Sequence, residues 1–545
     1  MPKRHLLAVL CLGLCATSAA VTALGLGRPA PATGGYDDLV ALFSDWREFQ
    51  KPPLTDGVPD YGPRAMAAQH ARLPKYRHRL DAIDTSGWPV ARQVDWHVVQ
   101  AEMNGLDFDH RVLRPWARDP AFYVTVFPSQ SDQPAREASW AHGAIELWTH
   151  RFPLAPDKAA EIAASLRIIP ALLEQARANL VGDAHDLWVY GTLEMKGQSE
   201  DLRRLEARLG DGDAALRTAV QQAREATDAF AAWLDAQAPS KRGPSGIGIE
   251  NYDWYLKHVH LVPYTWREQL VLLERELGRA HTFLALEEER NRALPPQVPV
   301  ASQEEHARRF GEAVTEYMAF LKDRQLLTIR PGMDAALRER IGRFHPGPRE
   351  FFTEVDYRDP VVMRTHGFHW FDLARMAREP HPSPIRRGAL LYNIFDTRTE
   401  GLATGWEEMM LQAGMFDARP RSRELIYVLV AQRAARALGD LRMHANQLTL
   451  EQAAEFASAN TPRGWLRLDG SLVRGEQHLY LRQPSYGTSY LIGKMQIEEL
   501  LAARRVQLGD RFSFDGFIDD VEGCGLIPMS LISAELSGRP LPGAR

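Results

Sequence analysis

Beyond residue 36 the sequence is written in a helical period, and that period most limits what the chain can become. "PDKAAEIAASLRIIPALLEQARANLV" (Pro156–Val181) places apolar residues at helical spacing, which lines one face of an α-helix. Pro170 falls inside this run and breaks or kinks it, because proline lacks the N–H and clashes with the preceding turn. "DGDAALRTAVQQAREATDAFAAWLDAQA" reads as a long alanine-rich amphipathic helix. Thr265 with Glu268, and Ser302 with Glu305, stand at capping-box spacing. "SKRGPSGIG" (Ser240–Gly248) is a loop and the best internal boundary. Alternating strand patterns are few, with short strands expected near "LTIRPG" and "REFFTEVDY". The expected class is mainly α, a large single helical fold with few short strands.

Such a chain must be held together by its buried core. Cys11 and Cys15 lie in the N-terminal leader, and only Cys524 lies beyond it. No intrachain disulfide is therefore expected in the mature chain. Lys3, Arg4 and His5 begin the leader, Leu6 to Leu14 form its apolar run, and Ala19-Ala20 or Thr22-Ala23 offer small residues for cleavage. This is the layout of a secretory signal peptide over residues 1–23, and it predicts a periplasmic or secreted protein. The apolar run falls short of the ~20 residues that span a bilayer, and no later stretch is apolar for long enough. Lipidation at Cys15 is a minor alternative, because bulky Leu14 precedes it. Residues 24–36 read as a linker, 37–300 as an N-terminal helical half, and 301–545 as a C-terminal half carrying the candidate site. A net charge of -5 gives no case for nucleic acid, which asks for a basic patch or stripe. Oligomeric state is left open.

Three stretches of the C-terminal half concentrate polar groups. In "MRTHGFHWFDLARM", His366 and His369 are three apart, close enough to share a metal, since imidazole suits zinc, copper, nickel and iron. A hydrogen-bonded core histidine is the commoner outcome. The strong zinc signature, H-E-x-x-H, is absent because Gly367 follows His366. In "RTEGLATGWEEMML", Glu400 stands 34 residues after His366, where a third ligand of a His2Glu site would fall. Glu407 lies seven further on and shares the same helical face. The alternative pairs these carboxylates with arginines such as Arg386, Arg387 or Arg398, since buried carboxylates must find partners. In "QRAARALGDLRMHANQLTLEQA", Arg433, Arg436, Asp440 and His444 form one stripe. Asp440 is expected to pair with Arg436 and to orient His444. The stripe is either a relay or a structural ion-pair ladder. "QPSYGTSYLIGKMQ" adds Tyr486 and Tyr490 on a turn entering a helix, where a hydroxyl can donate to an oxyanion.

"TEGLATGWEEMMLQAG", "RAARALGDLRMH", "LRQPSYGTSYLIGK" and "FDGFIDDVEGCGLIPMSLI", in this order, resemble the bacterial family catalogued as domain of unknown function 885. "RIIPALLEQARANL" and "YDWYLKHVHLVPYTWREQL" extend the resemblance over most of the mature chain. The resemblance implies a helical fold related to gluzincin zinc peptidases, with a deep cleft. Matched by position, Glu400 and Gly401 stand at the family's Glu-Gly and Glu407 at its following glutamate. Arg433, Arg436, Asp440 and His444 match its arginine-rich helix, and Ser489, Tyr490 and Gly493 its late tyrosine motif. Asp519 and Asp520 fall where the family usually has His-Asp. The family's His-Glu-x-x-Pro-Gly-His-His is missing, and with it the usual general base.

The expected function is a hydrolase of peptide-like substrates with a variant metal site, Zn2+ being the implied ion. His366, His369 and Glu400 would be its ligands. Glu407 would be base or support, Tyr490 an oxyanion donor, and Asp440 with His444 the remaining catalytic candidates. The alternative is an inert family member, without metal, that binds peptides or envelope components in the same cleft.

Overall fold

The computed structural model describes residues 34–210 and 214–541. The leader, with Cys11 and Cys15, lies outside the described residues. The described chain is mainly helical, with two two-stranded pairings, Leu54–Thr55 with Val58–Pro59 and Val126–Phe127 with Ile145–Glu146. Neither stretch expected to form strands does so. Residues 327–332 are turn and loop, and Phe351–Arg358 is a helix. Phe351 and Val355 sit at i,i+4 and are both buried, so burial on one helical face overrides strand propensity.

The punctuation of the N-terminal half is as the sequence implies. Pro156–Leu166 and Ile169–Asn179 are separate helices with Pro170 in the first turn of the second. Thr265 closes a capping box with Glu268, and Ser302 accepts from the Glu305 amide. Residues between Tyr61 and Leu234, Trp188 and Phe230 among them, make a core of their own. The largest core takes residues from Leu39 through to Ile532, so it crosses the boundary placed at residue 300.

At its centre run two helices buried on nearly every side, Asp396–Gln412 and Pro420–His444. A fully buried helix has no solvent face for polar groups, so each charge here has a partner. Arg398 donates twice to Asp372, at 2.8 and 2.9 Å. Glu408 is clamped by Arg279 and Lys494. The helix Tyr486–Leu508 lies tightly against Asp396–Gln412. A Cβ on Gly401 would stand 2.4 Å from the Gly493 backbone, and one on Gly493 would meet the Thr397 carbonyl at 2.2 Å. The glycine pair therefore brings two backbones together. Among the described residues no helix is long and apolar enough to cross a membrane. Cys524 is buried without a disulfide, and burial pushes its thiol up to about 12, which makes it a poor nucleophile.

Candidate metal centre

His366 ends the helix Pro360–His366, and His369 lies in the first turn of Phe368–Arg378. Gly367 makes the junction. A Cβ there would meet Leu337 Cδ2 at 2.7 Å and the Arg364 carbonyl at 3.0 Å. The close turn brings the two imidazoles to a centroid separation of 4.9 Å.

Two carboxylates of one helix meet these two imidazoles. Glu400 Oε2 lies 3.3 Å from His369 Nε2, and Glu407 Oε1 lies 3.0 Å from His366 Nδ1. The heptad spacing of the glutamates, one face of an α-helix, thus answers to the paired histidines opposite. The two carboxylates are otherwise unlike. Glu407 receives both forks of Arg433 at 2.7 Å. Burial would raise its carboxyl, but Arg433 and His366 outweigh that and hold it below its ordinary value. Glu400 accepts 2.6 Å from the Tyr486 hydroxyl and 2.9 Å from the Gln133 side-chain amide, both on Oε1. Its Oε2 and His369 Nε2 are buried and lie 3.3 Å apart without the alignment of a hydrogen bond.

Charge at the pair is displaced in both directions. Burial would lower His369, but Asp132 and Glu400 prevail and raise it to about 9. Burial would raise Glu400, but His369 beside it holds it at about 2. In the absence of an ion the pair is therefore imidazolium and carboxylate.

Ligand atoms of His366, His369 and Glu400 all lie within 4.8 Å of one another. Ligands about 2.0–2.1 Å from a tetrahedral zinc stand roughly 3.3–3.4 Å apart. The facing His369 and Glu400 atoms already have that separation, and neither makes a hydrogen bond. Glu407 Oε1 and Arg433 Nη2 both meet His366 at Nδ1, at 3.0 and 3.2 Å, which leaves Nε2 to ligate; a carboxylate at the other ring nitrogen is typical of metal-bound histidines. The donor set fits a divalent ion of the zinc kind.

The family profile "Bacterial protein of unknown function (DUF885)" matches residues 48–368 and 367–536. The chain belongs to this family. Its fold is that of two solved structures of low sequence identity. A candidate lipoprotein of unknown function from Shewanella oneidensis is 16% identical, with 92% of this chain and 99% of that one covered and a TM-score of 0.66. A candidate lipoprotein from Colwellia psychrerythraea is 14% identical, with 92% and 98% covered and a TM-score of 0.61. No curated protein matches.

The other expected residues of this DUF885 chain lie around the cluster in differing roles. Arg433 joins it through Glu407. Arg436 does not pair with Asp440 as the stripe suggested, but with Glu476. Asp440 accepts from Tyr252 at 3.3 Å and faces the start of the Tyr486–Leu508 helix, and burial raises its carboxyl well above the ordinary range. His444 bonds the Tyr480 carbonyl at 3.0 Å and stands 3.7 Å from Asp440. The contacts of Asp440 and His444 thus run to Tyr252 and Tyr480, not to the histidine–glutamate cluster. The Tyr490 hydroxyl reaches Tyr486 at 3.5 Å, and it is Tyr486 that touches Glu400. Asp519 and Asp520 pair with Arg330 and Arg504 near the surface.

Two participants came from outside the C-terminal half. Gln133 and Glu137 lie on the segment between Phe127 and Ile145, whose ends are joined by the parallel pairing. Gln133 Nε2 is 2.9 Å from Glu400 and 3.3 Å from His369 Nδ1. Glu137 Oε1 accepts from the Tyr486 hydroxyl at 3.4 Å, and burial with Asp132 nearby pushes it up to about 7. The only sequence signal they carry is polarity within an irregular, proline-bearing stretch.

Proposed function

We propose that this chain is an exported, metal-dependent hydrolase of peptide-like substrates, with His366, His369 and Glu400 holding a zinc-like ion. The observation that carries the reading is the convergence of His366, His369 and Glu400 ligand atoms within 4.8 Å of one another, with His369 Nε2 and Glu400 Oε2 buried at 3.3 Å and without hydrogen bonds. A shared cation would give these buried atoms the coordination that hydrogen bonds do not supply. The signal-like leader and the lipoprotein names of the two structural neighbours support export. The substrate class rests on the resemblance to family 885, which implies a relation to gluzincin zinc peptidases, although their His-Glu motif is missing here.

A bound ion would supply a Lewis acid that polarises a carbonyl and acidifies a water. The protein's own groups divide the remaining work. Arg433 fixes Glu407, and Glu407 fixes the tautomer and tilt of His366. With both oxygens taken by Arg433, Glu407 acts as a positioning residue rather than as the base. Tyr486 commits its hydroxyl proton to Glu400, and the Tyr490 hydroxyl is the donor left to stabilise developing negative charge. Gln133 orients Glu400 and His369 from the opposite side.

A second reading rests on Gln133. Its amide bonds both Glu400 and His369, as expected of a closed polar core in an inert member that binds peptides without cleaving them. Metal analysis of the purified protein, with peptide-library assays with and without a chelator, separates the two. The hydrolase reading expects bound metal and turnover abolished by the chelator and by Glu400→Gln. Neither metal nor turnover supports the inert reading, and turnover that survives the chelator removes the metal.

A further inference from the structure

A cavity of about 390 Å³ opens between the 127–145 segment and the helices His185–Ala207 and Leu472–Arg482. Phe127 and Trp140 give it aromatic walls, and Arg136, Glu137, His478 and Arg482 give it polar ones. That volume is within the usual range for small-molecule sites, and the lining is strongly polar, with Arg136, Glu137, Glu194, Asp201, His478 and Arg482 facing the aromatic walls.

Two of those polar groups each keep one nitrogen without a hydrogen-bond partner. His478 is 2% exposed; its Nδ1 stands 3.8 Å from Glu194, and its Nε2 has no hydrogen-bond partner. The Arg136 Nε is buried and equally unpartnered. Among the described residues Arg136 pairs with no carboxylate. Its guanidinium donates to the Ser129 carbonyl at 2.8 Å and lies over the Phe127 ring at 4.0 Å. Arg482 is already committed, to Asp119 at 2.6 Å. Desolvating a cation without an anion is costly. An arginine fork and a histidine nitrogen that line one cavity, the nitrogen donating where it carries the proton, match a carboxylate. Glu137, Glu194 and Asp201 line the same cavity, so a doubly charged phosphate would face repulsion that a single carboxylate escapes in larger part.

We propose that this cavity is a subsite for a peptide-like ligand with a free carboxylate, which Arg136 and His478 bind while Phe127 and Trp140 hold the adjoining side chain. The subsite adjoins the metal centre through one residue. Glu137 forms part of its wall, accepts from Tyr486 at 3.4 Å, and Tyr486 donates to Glu400 at 2.6 Å. Resting on the hydrolase reading, the substrate is then a chain with a free C-terminus that is cut near that end.

The test is calorimetric titration of the full mature chain with N-acetyl-phenylalanine and with its amide, which lacks the charge. Saturable binding of the acid is expected, with the amide at least about tenfold weaker, roughly 1.4 kcal/mol. Arg136→Gln and His478→Gln should each weaken the acid by a similar factor and leave the amide and the metal content unchanged. If Arg136→Gln melts early, the acid-to-amide ratio in the wild type and in His478→Gln still decides. Equal binding of acid and amide, no saturable binding of either, or well-folded variants that bind like wild type would overturn the subsite. Wild-type protein that binds the acid but holds no metal and turns over no peptide would instead count against the hydrolase reading, since acid binding does not need the ion.

Discussion

Glu400 Oε2 faces His369 Nε2 at 3.3 Å in the core of the protein, and neither atom makes a hydrogen bond. The pair is held as opposite charges, with His369 raised to about 9 and Glu400 lowered to about 2. Protonated imidazole cannot ligate, so a metal ion competes with the proton that His369 holds.

Metal uptake must therefore expel that proton. Zinc binding near pH 7 should release about one proton, because only neutral imidazole ligates. Calorimetry in buffers of different ionisation enthalpy measures the number. Zinc binding with no proton release would remove His369 from the ligand set.

Glu407 and Glu400 should separate by experiment. Glu407→Gln keeps shape but weakens the grip on His366, so zinc affinity should fall about 10–100-fold, the usual effect of losing such a supporting carboxylate. Glu400→Gln should abolish zinc binding. Equal zinc affinity of Glu407→Gln and wild type would show that His366 does not depend on Glu407.

Stability should decline from pH 6.5 to 9 in metal-free protein. Burial pushes Asp109 up to about 8 and Glu137 up to about 7, while His369 rises to about 9 against an ordinary 6.5. Above pH 6.5 the unfolded chain has largely released these protons and the folded chain still holds them. The stability they contribute is lost as pH climbs through the folded values. The lowered histidines, His97 and His110 at about 4 among them, oppose this only at the start of the window, where their unfolded forms lose the proton near 6.5, and Glu408 at about 2 has finished below it. Thermal melts across the range check the slope, and a melting temperature that rises towards pH 9 contradicts it.

The glycine contact should prove intolerant. Helical Gly→Ala ordinarily stabilises by about 0.5–1 kcal/mol. Gly401→Ala would place a methyl 2.4 Å from the Gly493 backbone, and overpacking of this kind costs about 1–3 kcal/mol or more. Gly405→Ala is the control, since its nearest neighbour would be the Ile497 Cγ2 atom at 3.3 Å. Equal melting temperatures for the two variants would show that the helices part freely.

What the sequence by itself determined is local. Caps at Thr265 and Ser302, the break at Pro170 and the long amphipathic runs are written in neighbouring residues, because helix formation depends on contacts three and four apart. Glu400, Glu407 and the two histidines were also legible as candidates, since their spacing and motif resemblance survive in one dimension. Their pairing was not. That His369 takes Glu400, that His366 takes Glu407, and that Arg433 rather than Arg398 neutralises Glu407 follow from how three buried segments pack. The buried helices Asp396–Gln412 and Pro420–His444 hide this further, because an element covered on all sides carries no amphipathic period. Gln133 and Glu137 were decided by tertiary structure alone. They reach Glu400 and Tyr486 across separations of 267 and 349 residues, and no local rule of spacing extends over such a distance.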